Sequence, residues 1–252
     1  MLDWLTYTVL AFAGAAAGFI DAIAGGGGLI SVPALLWAGL PVPVALGTNK
    51  LQSSCGTTLA VIHYTRNGLI PWHELRGAVA ITFVAAVLGV RAVTHMDREL
   101  LEKLVPILLV VVAVYTAANP RLGAIHRKPA IGRTAFAFIF GSALGFYDGF
   151  FGPGTGSFWM LACVLALGLN LRDATGTTKA LNLASNLAAL SAFAFDGLLR
   201  WDAGLAMIAG QLVGARIGSG LVVRNGAKII RPVFIATALA LALRLAWKAF
   251  AP

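Results

Sequence analysis

Charge is the scarcest feature of this chain. Only 12% of its 252 residues are Asp, Glu, Lys or Arg, against about 25% in soluble globular domains. Too little polar surface remains to cover a globule in water, so the bilayer is the natural solvent. Acids are scarcer than bases, 10 against 19, for a net charge of +9. That balance can signal nucleic-acid binding, but these bases lie scattered at the ends of apolar runs and form no patch. Nucleic acid is therefore excluded as a partner, and the pattern fits positive-inside membrane topology. Cysteine is nearly missing. Cys55 and Cys163 sit in apolar surroundings without a C-x-x-C partner, so neither a disulfide nor a zinc site is expected. His63, His73, His95 and His126 show no metal-ligand spacing, and neither metal nor cofactor is expected. The first apolar run lacks the basic region of a signal peptide, its only early charge being Asp3. It reads as a retained first helix.

Apolar residues are plentiful instead, at 59% of the chain, with mean hydropathy +0.84. They gather in runs: Trp4 to Ala24, Gly77 to Val90, Leu104 to Ala118, Thr134 to Phe151, Ala184 to Phe195, Leu205 to Val213 and Val233 to Leu243. A spanning helix needs about 20 mostly apolar residues, and several of these runs reach that length with their flanks. The expectation is an all-α integral membrane protein.

The chain also repeats itself. Gly18-Phe19-Ile20-Asp21 lies over Gly145-Phe146-Tyr147-Asp148, and the glycines after each aspartate coincide. Gly14 falls on Gly141 in the same register. Thr48-Asn49-Lys50 matches Thr177-Thr178-Lys179, Leu88-Gly89-Val90-Arg91 matches Val213-Gly214-Ala215-Arg216, and Pro106 answers Pro232. Two homologous membrane repeats are expected, 1–118 and 133–252, joined by a basic linker at 119–132. Each half holds a short run, Leu29 to Leu40 or Ser157 to Gly168, too short to span alone. Paired short, Gly/Pro-interrupted segments point to a transporter's binding site. If these runs do not cross, the chain has about eight full spans in parallel halves. If they do, it has ten segments in a 5+5 inverted repeat. The linker bases place that segment in the cytoplasm.

Gly-x-x-x-Gly spacings at Gly14 and Gly18, at Gly141, Gly145 and Gly149, and at Gly210, Gly214 and Gly218 suit close helix packing. The run Gly25-Gly26-Gly27-Gly28 differs, because successive glycines cost a helix about 1 kcal/mol each. Such a run frees backbone N–H groups and precedes a helix start, where anions bind. Gly152-Pro153-Gly154-Thr155-Gly156-Ser157 repeats the arrangement with two added hydroxyls. Both loops are expected to line a water-filled cavity, since irregular backbone is tolerated there at membrane depth.

Asp21 and Asp148 occupy equivalent places before the two loops. A carboxylate near membrane depth costs at least about 2.5 kcal/mol, and loop N–H groups or a lysine are candidates to compensate it. Two roles stay open: a proton coupler or gate, and a structural cap of the loop. Lys50 and Lys179 stand in unusually polar runs beside Thr48, Asn49, Gln52, Thr177, Thr178, Asn182 and Asn186. Lysines, amides and hydroxyls make a donor-rich surface, suited to oxoanions that offer only acceptors. Gln211 precedes Gly214 by about one turn and joins the candidate binding set, with Gly25 to Gly28, Gly154, Thr155, Gly156 and Ser157. Arg91 and Arg216 lie toward helix ends and read as snorkelling residues.

The segments Gly18 to Pro33, Thr48 to Gln52, Gly145 to Pro153 and Gly210 to Arg216 resemble, in order, blocks of the TauE/SafE family, the sulfite-exporter-like membrane permeases. The likeness is greatest to a bacterial inner-membrane subgroup. It implies duplication, about eight spans, and outward transport of sulfur-containing anions such as sulfite or organosulfonates. The expected function is thus a secondary transporter of a small anion, multi-pass in the bacterial inner membrane. Proton coupling and a homodimer are open, and another small anion is the alternative substrate. An intramembrane enzyme is not expected, since no nucleophile–base pair or metal motif is visible. A passive scaffold leaves the repeated polar residues unexplained.

Overall fold

In a computed structural model the described residues are 2–97, 99–100, 128–226 and 228–229. Among them there are helices and connections but no strand. The helices are α1 (Trp4–Ala24), α2 (Gly28–Trp37), α3 (Val42–Arg66), α4 (Trp72–Thr94), α5 (Arg133–Phe136), α6 (Ser142–Phe150), α7 (Thr155–Leu165), α8 (Leu171–Phe195) and α9 (Trp201–Asn225). A π-helical turn, Ala137–Gly141, joins α5 to α6. The runs Leu104 to Ala118 and Val233 to Leu243, and most of the expected linker, lie outside the described residues.

Local chemistry sets the helix ends. The Asp3 carboxylate accepts the Thr6 N–H at 2.9 Å and starts α1. The Asn170 side chain accepts the Asp173 N–H at 3.0 Å and starts α8. Helix α1 stops at Gly25, where φ is 78°, a conformation that costs glycine little. After α3, Gly68 turns the chain at φ 69°, and Pro71 leads into α4.

Among the described residues three helices are long and apolar enough to cross a membrane: α1, α4 and α9. Helices α3 and α8 have 25 residues each, about 37 Å, but both carry many polar residues. The count of about eight full spans is thus met only in part among the described residues. Helices α2 and α7 have 10 and 11 residues, about 15 Å, half of a hydrocarbon core of about 30 Å.

Chain directions follow from the packing. Gly14 faces Met207 and Gly18 faces Gln211, so α1 and α9 run side by side in the same direction. Gly145 faces Thr82 and Gly149 faces Ala86, so α4 and α6 do likewise. Gly47, near the start of α3, meets Leu198 after α8, and Gly176, near the start of α8, meets Leu69 after α3. Helices α3 and α8 are therefore antiparallel. One end of the molecule, the first end, gathers the starts of α1, α3 and α9. The opposite, second end gathers the starts of α4, α5 and α8. Helix α2 turns back toward the first end, where Leu35 and Leu40 pack with Leu10, Ala45 and Ala203. Helix α7 returns to the second end, where the Ala130 N–H donates to the Ala166 carbonyl at 2.9 Å.

Between α1 and α9 the glycines bring the two backbones into contact. Gly210 faces the Ala11 carbonyl and Gly214 the Ala15 carbonyl, and a Cβ at either would overlap them. Without a hydrophobic drive inside lipid, this close van der Waals contact is what joins helices.

Candidate functional site

Four charged side chains lie deep inside the bundle. Lys50 Nζ is 2.6 Å from Asp148 Oδ1, with both side chains 2% exposed. Lys179 Nζ is 2.9 Å from Asp21 Oδ2. Each pair crosses between the first and second parts of the chain: Lys50 on α3 reaches α6, and Lys179 on α8 reaches α1. The lysine alternative for compensating the aspartates is therefore the one found, and among the described residues no loop N–H donates to either carboxylate. The Gly25 N–H instead donates to the backbone carbonyl of Asp21, at 3.0 Å.

Neighbouring polar groups divide between the two pairs. Lys50 also donates to Asn186 Oδ1 at 3.0 Å, and Asn186 Nδ2 donates to Asn182 Oδ1 at 3.0 Å. These amides share a face of α8, as an i, i+4 spacing requires. Thr57 donates to Asp21 Oδ2 at 3.4 Å. Thr57 escaped the sequence reading, yet the signal was present: it stands seven residues after Lys50, as Asn186 stands after Lys179.

Asn49 Oδ1 collects three donors, Ser31 at 2.5 Å, Gln52 Nε2 at 3.0 Å and Ser53 at 3.4 Å. This ties the start of α2 to α3. Gln52 Oε1, Asp148 Oδ2 and Gln211 Oε1 are buried without a hydrogen-bond partner. Buried acceptors of this kind are rare and call for an explanation.

The two glycine loops pack directly on one another. Gly25 and Gly156 are in backbone contact, with a Cβ on Gly25 falling 2.5 Å from Gly156 Cα, and a Cβ on Gly28 would fall 2.9 Å from Pro153 Cα. Ser157 donates its hydroxyl to Ala24 O at 3.2 Å and its N–H to Gly25 O at 3.2 Å. The Thr155 hydroxyl donates to Gly152 O at 2.5 Å. The N–H groups of Leu29, Ile30, Ser31 and Thr155 also find loop carbonyls. The loops thus form a contact between the two parts of the chain, where the sequence suggested the wall of a cavity, and these N–H groups are used locally. Gly152 bears on the site most closely: a Cβ there would lie 2.9 Å from Lys50 Nζ.

Several expected residues stand apart from the ion pairs. Thr48 accepts the Arg200 N–H at 2.9 Å. Thr177 lines a cavity of about 540 Å³ at the second end, whose lining includes the Glu74–Arg133 ion pair. Thr178 touches Cys163. Gln211 wedges against Gly56 between α9 and α3. Arg91 binds Asp196 at 2.7 Å and lies 5.7 Å from the Phe195 ring, so it bridges α4 to the end of α8. Arg216 faces His63 at 3.0 Å.

Apolar helices of spanning length around a buried ionic centre define an integral membrane protein. The chain matches the family described as Sulfite exporter TauE/SafE over residues 10–245. It belongs to that family. It is 40% identical over 245 residues to the probable membrane transporter protein YfcA of Escherichia coli (strain K12), covering 97% of this chain and 91% of that one. It is 41% identical over 244 residues to the probable membrane transporter protein ORF9 of Sinorhizobium sp, covering 96% and 94%. A probable membrane transporter protein of Haemophilus influenzae (strain ATCC 51907 / DSM 11121 / KW20 / Rd) is 40% identical over 227 residues, covering 90% and 89%. No solved structure matches the chain.

Proposed function

We propose that the protein is a secondary transporter of small sulfur-containing anions, such as sulfite or organosulfonates, in the bacterial inner membrane. One observation carries the transport reading: two buried lysines, each held by an aspartate from the other part of the chain. Charged residues at membrane depth are costly, and they mark pathways and relays. The sulfur preference rests on the family likeness, and another small oxoanion is the alternative.

In this reading the chain is an inverted repeat. Helices α1, α3 and α4 match α5–α6, α8 and α9 in order and run in opposite senses. Lys50 and Lys179 sit at the same place in 25-residue helices, each eight residues after the first, Val42 or Leu171. The hairpins α1–α2 and α6–α7 enter the bilayer from opposite sides and meet at Gly25 and Gly156. Alternating access then moves one set of helices against the other around this contact.

The ion pairs close the empty carrier. A carboxylate beside an anion repels it, so the anion takes the lysine only when the aspartate accepts a proton. Anion and proton then cross together, and their combined gradient sets the direction. The cell's own production of the anion drives it outward. Asn182, Asn186, Gln52 and Ser157 supply further donors as the helices shift.

Reconstituted protein in liposomes tests the proposal, with uptake of radiolabelled sulfite, sulfoacetate and sulfate followed with and without a pH gradient. Saturable uptake of a sulfur anion, stimulated by the gradient, is expected. If the folded protein moves none of the three, the sulfur assignment is overturned.

A further inference from the structure

The charged side chains are sorted by end. At the second end, Arg66 and Arg76 flank the connection from α3 to α4, Arg133 opens α5, Arg172 opens α8 and Arg224 closes α9. Lys128 and Lys228 stand beside them in sequence, before α5 and after α9. The described acids there are Glu74, paired with Arg133, and Asp173. The first end has the opposite composition. Asp3, Asp97, Asp196 and Asp202 stand there, and the described bases are Arg91 and Arg200. Each of those two is already bound to an acid, Arg91 to Asp196 and Arg200 to Asp202.

Such sorting has a physical meaning in a membrane. Lys and Arg next to spanning segments are retained on the cytoplasmic side, where anionic phospholipid headgroups attract them. We infer that the second end is seated among the anionic headgroups of the cytoplasmic leaflet, and that the Asp3 end faces the outside. The N-terminus is then external. The α1–α2 hairpin opens outward and the α6–α7 hairpin opens to the cytoplasm.

This orientation gives each ion pair a compartment. Lys50 lies eight residues past Val42, about 12 Å from the outer end of α3. Lys179 lies equally far past Leu171, about 12 Å from the cytoplasmic end of α8. Resting on the transport reading, Lys179–Asp21 is the first station for an anion leaving the cytoplasm, and Lys50–Asp148 is the last.

Single cysteines test the orientation without any substrate, so the result stands whether or not the transport reading holds. With Cys55 and Cys163 replaced by alanine, Pro41→Cys marks the first end, and Asn67→Cys and Gly132→Cys mark the second. All three positions are exposed, and a Cβ at Gly132 meets nothing within 4 Å. A bulky, membrane-impermeant maleimide is applied to intact spheroplasts, to inverted vesicles and, as a full-reactivity control, to solubilised membranes. The cysteine at 41 should label on spheroplasts, and those at 67 and 132 only on inverted vesicles. The reversed pattern, or equal labelling of both ends in one preparation, overturns the orientation and the order of the stations.

Discussion

Lys50 and Asp148 stand 98 positions apart in the chain and 2.6 Å apart in space. Lys179 and Asp21 make the reciprocal connection, so the two parts of the molecule are clasped crosswise by two buried ion pairs. Removing one member of a buried pair leaves a desolvated charge, whereas removing both need cost little. Lys50→Met and Asp148→Asn should each lower stability by about 3–5 kcal/mol, while the double variant should lie well above either. Thermal unfolding in detergent reads this. Additive losses in the double variant would show that the two side chains are not coupled.

The loop contact makes an equally direct prediction. Gly156 and Gly25 are in backbone contact, and backbone cannot move aside as a flexible side chain does. Gly156→Ala should cost at least the 1–3 kcal/mol typical of overpacking, at roughly the upper end of that range. Gly77→Ala, whose Cβ meets nothing within 4 Å, should be neutral or slightly stabilising, because alanine favours the helix. Melting temperatures of the two variants should therefore move in opposite directions or differ by several degrees.

Arg91 and Asp196, at 2.7 Å, make a nearly equally short but weaker connection. Their side chains are 42% and 18% exposed, so solvent screens the pair. A double-mutant cycle of Arg91→Ala and Asp196→Ala should give a coupling of less than about 1 kcal/mol. The buried Lys50–Asp148 cycle should exceed it several-fold.

The aspartates carry the pH dependence of the proposed cycle. An asparagine has the shape of a protonated aspartate and cannot lose a proton. Asp21→Asn and Asp148→Asn proteins should still exchange labelled for unlabelled anion across a liposome membrane, but a pH gradient should no longer drive net uptake. Gradient-driven uptake that survives in both variants would assign proton movement elsewhere.

Much of this arrangement was legible in the sequence, and the reasons for the remainder are physical. Apolar run length revealed α1 and α4. The repeated Asp and Lys positions singled out all four charged residues of the centre, because a charge is costly in lipid wherever it lies. Which lysine meets which aspartate was not legible, since that depends on α8 passing α1 and α3 passing α6. In sequence alone the glycine loops suggest the wall of a cavity. Glycine permits close approach of any backbone, and its sequence signal does not distinguish a ligand's path from a second loop. The π-helical turn at Ala137–Gly141 leaves no mark in the residues that form it.

In the proposed cycle the crosswise lysines carry the anion. Counterflow of radiolabelled sulfite should be measured in proteoliposomes containing the unaltered protein, Lys50→Ala or Lys179→Ala. Thermal unfolding would confirm that each variant is folded at the assay temperature. Saturable counterflow is expected with the unaltered protein, with a loss of at least roughly tenfold in either variant, equivalent to about 1.4 kcal/mol of lost interaction. Counterflow at full rate in a folded Lys50→Ala or Lys179→Ala protein would contradict this cycle.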